Sequence, residues 1–273
     1  IFLLPFLPAM GGIAVSMVRV VFHRAHTTVH GLSAVLLSLI RDRGRLKRSL
    51  GIEMLLTSSL TIGTGGSAGP EAPIAIIGSS IGSIVATLAG ISRTNAASLI
   101  GCGAAAGISA VFDAPIAGVL FAMEVMLRDF SVKTFTPTVI SAVIATTTFH
   151  AIHPAAQGHI VRGLFELPTG GIDVIFNFHE IPNFLILGVI CGGLAILMTY
   201  LMEGTTHIFN HVVKIPPFFQ PAIGAGLSGV CGVILLLIIG SSSSHLTTPG
   251  RWYVPIFGSG YATVVQTLNP AAY

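Results

Sequence analysis

Between two hydrophobic runs of this chain lies Gly63-Thr64-Gly65-Gly66-Ser67-Ala68-Gly69-Pro70-Glu71-Ala72-Pro73, a glycine-rich break carrying one carboxylate. Glycine lets backbone approach a ligand closely, and a helix beginning at Pro70 or Pro73 directs its free N–H groups into the break. Those groups, with the positive end of the helix dipole, suit a small anion. The break constrains the fold because its surroundings are those of a lipid-embedded chain. Apolar residues make up 52% of the 273 positions and charged residues 8%, against about 25% charged in a soluble domain. Non-helical backbone at membrane depth survives only where protein buries it or water lines it. Broken helices of that kind mark where transporters hold their cargo.

Three runs read as spanning segments, Ile1 to Phe22, Phe184 to Met202 and Pro221 to Gly240. Each approaches or exceeds the roughly 18 residues that cross the hydrocarbon layer. Arg19, near the end of the first run, is placed to snorkel to the interface. Gly51 to Ile62, Ile74 to Leu88, Ala96 to Ala110 and Ile116 to Met126 are rich in Gly, Ala and Ser. Each is expected to be too short to cross comfortably alone, and small residues suit a tightly packed bundle. The middle of the chain is therefore the expected pathway, with ordinary spans after Phe184. Gly224, Gly226, Gly229 and Gly232 along one late span, and Gly188, Gly192 and Gly193 along another, read as helix-packing faces.

The run Arg41-Asp42-Arg43-Gly44-Arg45-Leu46-Lys47-Arg48 holds five of the thirteen Lys and Arg residues. By the positive-inside rule the 41–48 loop is expected to be cytoplasmic. Arg128 and Lys133 suggest a second cytoplasmic turn, and the connection from His150 to Pro182, with one Arg and no Lys, is expected outside. The chain opens at Ile1 without a methionine, has no basic leader over Ile1 to Pro8, and stops at Tyr273 shortly after a Gly-Ser-Gly turn. The expectation is a single transmembrane domain over 1–273, cut from a longer membrane protein at both ends and without a signal peptide.

Several weaker signals carry less chemistry. Cys102, Cys191 and Cys231 have no paired spacing, so they read as packing residues rather than a disulfide or zinc framework. His23, His26 and His30 share i, i+3, i+7 spacing, and His207 and His211 are i,i+4; neither set has the acidic partners of a metal site. Gly65-Gly66-Ser67-Ala68-Gly69 fits the nucleophile elbow of hydrolases in letters only, since an apolar helical lead-in replaces the required strand. A second hinge runs from Gly101 to Pro115. There Asp113 is expected to cap a helix beginning near Pro115, with Glu124 and Arg128 an i,i+4 pair inside it.

Gly66-Ser67-Ala68-Gly69-Pro70-Glu71, followed by Gly103-Ala104-Ala105-Ala106-Gly107 and by Phe112-Asp113-Ala114-Pro115-Ile116-Ala117-Gly118-Val119-Leu120-Phe121-Ala122-Met123-Glu124, resembles the chloride channel (CLC) family. In that family the first motif reads Gly-Arg-Glu-Gly-Pro. The second approximates Gly-Ala-Ala-Ala-Gly, then Phe-Asn-Ala-Pro-Leu-Ala-Gly-Val-Leu-Phe-x-x-Glu. The likeness is strongest from Gly51 to Phe130 and extends more weakly over the rest. It implies an all-α integral membrane bundle of tilted, partly broken helices with inverted-repeat topology. This chain would supply the first half, without its earliest helix, and the start of the second. It also implies a homodimer with one pore per subunit, voltage-gated or proton-coupled according to the member.

Three departures bear on mechanism. The family's gating glutamate falls at Ala68 and the arginine before it at Ser67. The internal proton-relay glutamate of the antiporters falls one residue after Glu124, at Val125. Neither Ala nor Val titrates, so the resemblance implies loss of proton coupling by that route, with Glu71 as the gating candidate in its place. Where the family has Gly-Ser-Gly-Ile-Pro, this chain has Val29-His30-Gly31-Leu32-Ser33. Only Gly31 is retained, and His30 takes the place of the anion-contacting serine. An imidazole N–H donates to an anion, and a histidine that merely ends a helix fits equally well.

The combined expectation is a CLC-type channel conducting chloride or a similar small anion passively. The pathway is expected to be lined by His30, Gly31, Gly66, Ser67, Gly69, Pro70 and the backbone N–H groups near Phe112. A chloride/proton antiporter using Glu71 is the first alternative, and an intramembrane serine hydrolase using Ser67 a distant one. The expected partners are a small inorganic anion, the lipid bilayer and a second copy of the chain. No cofactor, metal, enzymatic activity or nucleic acid is expected.

Overall fold

The computed structural model describes residues 6–22, 31–41, 45–152, 178, 181–209, 215–242 and 260–261. The helices are α1 (Phe6–Phe22), α2 (Leu32–Arg41), α3 (Ser49–Gly63), α4 (Glu71–Leu88) and α5 (Arg93–Phe112). After them come α6 (Pro115–Phe121), continued by a π turn (Ala122–Leu127), then α7 (Val132–Ile152), α8 (Ile181–His207) and α9 (Gln220–Ser242). Among the described residues there is no strand.

α5 is the central post, with α4, α6 and α7 packed around it, while α1 joins α3 and α9. The α4–α5 contact is made by glycine. A methyl group at Gly78 would strike the Gly103 carbonyl, one at Gly103 would strike the Gly78 carbonyl, and one at Gly82 the Leu99 carbonyl. Backbones thus touch directly, the close approach that small residues permit where lipid supplies no hydrophobic drive between helices. Gly107 abuts Ile74 in the same antiparallel register, which sets the end of α5 level with the start of α4. Around this crossing Val35, Ile76, Ile100 and Met126 form a buried apolar cluster. The Leu46 N–H donates to Ser83 Oγ at 2.9 Å and so pins the end of the basic segment to α4.

Two of the segments expected to be too short are longer in the structure: 18 residues of α4 and 18 of α5 (Asn95–Phe112) are long and apolar enough to cross a membrane. Glu71, Ala72 and Pro73 join the first turn of α4, where a proline forfeits no helical hydrogen bond. Arg93, Thr94 and Asn95 likewise extend α5 ahead of its apolar run. In addition α7 is a 21-residue span with no counterpart among the expected ones. Its threonines conceal it, because Thr136, Thr138 and Thr147 return their hydroxyls to the carbonyls four residues back, at 3.0, 2.7 and 2.9 Å. Such back-bonding satisfies the polar atom inside the helix.

α7 begins at a hydroxyl–carboxylate box. The Ser131 hydroxyl and N–H donate to Asp129 at 2.9 and 3.0 Å, and the Thr134 hydroxyl at 3.1 Å. Ser131's two bonds hold the Asp129 carboxyl below the usual carboxylate range. α7 locks to α5 where Ser141 Oγ donates to the Cys102 carbonyl at 3.0 Å and Thr138 Oγ1 lies 3.8 Å from Cys102 Sγ. Cys102 is buried there, as a packing residue should be, whereas Cys191 and Cys231 are exposed.

α8 is a long apolar helix that buries none of its residues. A Cβ added at Gly188, Gly192 or Gly193 would meet nothing within 4 Å, so among the described residues that face packs on no helix. The glycine face of α9 does approach α1: Gly229 and Gly232 are buried, and a Cβ at Gly226 would lie 3.6 Å from Ala9 Cβ.

Candidate functional site

α3 closes on its own last turn. Thr64 donates to the Leu60 carbonyl through both N–H (3.1 Å) and Oγ1 (2.7 Å), and Gly65 then takes φ +88°, a left-handed value that glycine alone adopts freely. The Gly66 N–H donates back to the Thr61 carbonyl at 2.8 Å. A side chain at Gly66 would lie 2.7 Å from that carbonyl oxygen. Gly66 is buried, Ser67 is exposed, and Ala68, Gly69 and Pro70 are half-buried. Because its amide closes the turn, Gly66 supports the hinge rather than offering a free donor.

Pro70 is the N-cap of α4, and the first helical bond runs from the Ile74 N–H to the Pro70 carbonyl at 2.9 Å. The N–H groups of Glu71 and Ala72 therefore have no intrahelical acceptor, and Pro73 has no N–H. Glu71 is exposed in this first turn. One of its oxygens folds back over Gly69, where an added Cβ would collide with it, and the other accepts the Tyr261 hydroxyl.

The α5–α6 break lies at the same level. Asp113 ends α5 with φ 53°, and the N–H groups of Asp113 and Ala114 both turn back to the Ser109 carbonyl. The N–H groups that follow Phe112 are consequently engaged by the helix end. What Phe112 presents is its ring, which meets Tyr261 edge-on with centroids 6.3 Å apart. Nor does Asp113 cap α6, which starts at Pro115 without a side-chain cap. Its left-handed backbone sends the carboxylate to α7 instead, with Oδ1 2.8 Å from His150 Nε2. That is ion-pair distance without the alignment of a hydrogen bond. Glu124 and Arg128 lose their i,i+4 register because Ala122–Leu127 winds as a π turn and Arg128 leaves it at φ 51°.

Gly31, half-buried with φ +70°, starts α2 by accepting the Ala34 N–H at 3.1 Å. His23, His26, His30 and His211 lie outside the described residues. Ser67 sits between two helices rather than after a strand, so the nucleophile-elbow geometry is absent. The structure thus brings together Gly69, Pro70, Glu71 and Phe112, and adds Tyr261, which no motif indicated. The only available signal was a lone Gly260-Tyr261 in an apolar chain, where a phenol requires a hydrogen-bond partner.

Comparison with known proteins follows the same lines. The sequence profile of the voltage gated chloride channel family matches residues 10–272. The chain is 28% identical over 237 residues to chloride channel protein CLC-f of Arabidopsis thaliana, covering 82% of this chain and 28% of that protein. It is 31% identical over 244 residues to CLC-e of the same plant, covering 84% and 31%. The chain thus spans less than a third of the length of these curated relatives. In fold it is similar to the crystal structure of a slow cyanobacterial Cl⁻/H⁺ antiporter, with TM-score 0.67 and 21% identity over 97% of this chain and 57% of that one.

Proposed function

The chain belongs to the voltage gated chloride channel family, and on that premise we propose that it forms part of a passive pathway for chloride or a similar small anion. One observation carries the reading. The α3–α4 break and the α5–α6 break stand at the same level in an apolar bundle, and the Glu71 and Ala72 N–H groups that open α4 have no intrahelical acceptor. Partial charges on N–H groups replace part of an ion's water shell without trapping it, and conduction needs that weak hold. Passive rather than proton-coupled transport is favoured by Ala68 and Val125, neither of which carries a proton. Glu71 is the one carboxylate of the hinge and serves as the gate. The 41–48 loop is taken as cytoplasmic on its charge, and the working unit as a homodimer by likeness to the family.

The antiporter reading keeps a specific support, because Glu71 is a titratable group at the start of α4. Glu71→Gln separates the two. In the full-length protein reconstituted in liposomes, a channel should keep conducting chloride, with altered gating or conductance. An antiporter should lose its proton movement altogether.

A further inference from the structure

Tyr261 stands 190 positions from Glu71 in sequence, yet its hydroxyl donates to Glu71 Oε1. Its ring is set edge-on to Phe112, with an interplanar angle of 81°, an orientation that aromatic pairs favour. The second oxygen of Glu71 rests over Gly69. The Glu71 carboxylate thus lies over the glycine hinge and is bonded by a phenol whose ring packs against the end of α5.

We propose that Tyr261 is a latch, a positioning residue that holds the Glu71 carboxylate over Gly69, in the space an incoming anion would occupy. The proposal rests on the anion-pathway reading of the hinge. A carboxylate and a permeant anion are drawn to the same N-terminal N–H groups and the same dipole, so they compete. A hydrogen bond to an ionised carboxylate is roughly twice as strong as a neutral one, which lets a single hydroxyl bias that competition. Phe112 fixes the ring, so the hydroxyl is presented in place. In the latched state the carboxylate fills the site and flux is low; when it leaves, flux rises.

Tyr261→Phe removes the hydroxyl and leaves the ring against Phe112. In the full-length protein in liposomes, chloride efflux should rise about ten-fold, the scale of one lost bond to a charged group. In a Glu71→Ala background the same substitution should change nothing, because no carboxylate is left to hold. An infrared difference spectrum, wild type minus Tyr261→Phe, should show a displaced carboxylate stretch that disappears when both proteins carry Glu71→Gln. Unchanged efflux in Tyr261→Phe overturns the latch, with or without a band shift. A rise that persists in the Glu71→Ala background overturns it too. If no variant conducts but the band still moves, the pathway reading fails and the Tyr261–Glu71 contact stands. Should Tyr261→Phe not fold, Glu71→Ala alone must raise efflux by the same factor, and failure to do so overturns the latch.

Discussion

Gly103→Leu is expected to abolish the folded protein. Any side chain at this position drives into the Gly78 carbonyl, and the reciprocal change at Gly78 drives into that of Gly103. These are backbone atoms, which cannot rotate aside as a side chain end can. Overpacking a well-fitted core by a methylene or two costs about 1–3 kcal/mol. A leucine at a backbone–backbone crossing must part the two helices entirely, against a total stability of roughly 5–15 kcal/mol. The loss would reach the site, because this contact fixes the register that sets the start of α4 level with the end of α5. Gly188→Leu, on the face of α8 where no described residue lies within 4 Å, is the control and should be neutral. Size-exclusion profiles and thermal melts in detergent check both. A monodisperse Gly103→Leu protein with an unchanged melting temperature would show that the helices do not touch there.

The second large effect is on transport with the fold retained. Gly66→Val should cut anion flux at least ten-fold, while helical content in far-ultraviolet circular dichroism stays near that of the wild type. The position has no room beside Thr61, whose carbonyl oxygen and methyl group lie 2.7 and 2.8 Å from an added Cβ. Valine therefore forces the turn open, breaks the bond from the Gly66 N–H to Thr61, and displaces Ser67 through Pro70 from the α4 terminus. In enzyme sites a misplacement of about 1 Å can cost roughly a hundred-fold in rate, and partial charges that must meet an ion in place of its water shell depend on position in the same way. Gly63→Ala, where no described residue outside its own helix turn lies within 4 Å, should conduct normally. Equal fluxes in the two variants would dissociate the hinge from the pathway.

How much of this was legible in the sequence follows from what each residue type signals. Gly65, Gly66, Pro70 and Glu71 announced the α3–α4 break, since only a turn and a helix start use them in that order. The family resemblance likewise anticipated the all-helical membrane bundle. Hydropathy marks the starts of α4 and α5 too late, at Ile74 and Ala96, because helices tolerate proline and polar residues in their first turns. Hydropathy does not mark α7 as a span, because threonine lowers its apparent value although the hydroxyl is satisfied within the helix. The place of Asp113 before Pro115 suggests an N-cap. Its left-handed backbone, set by the end of α5, aims it at His150 instead. For Tyr261 the sequence signals at most the need for a partner and not its identity, since local pattern carries no information about a contact 190 residues away.

Simultaneous recording of chloride and protons separates passive from coupled transport. Liposomes loaded with chloride and containing the full-length protein should release it down its gradient, with no change in external pH beyond that of empty vesicles. Proton uptake in fixed ratio to chloride released, abolished by Glu71→Gln, would contradict a passive pathway and make Glu71 the carrier of the proton.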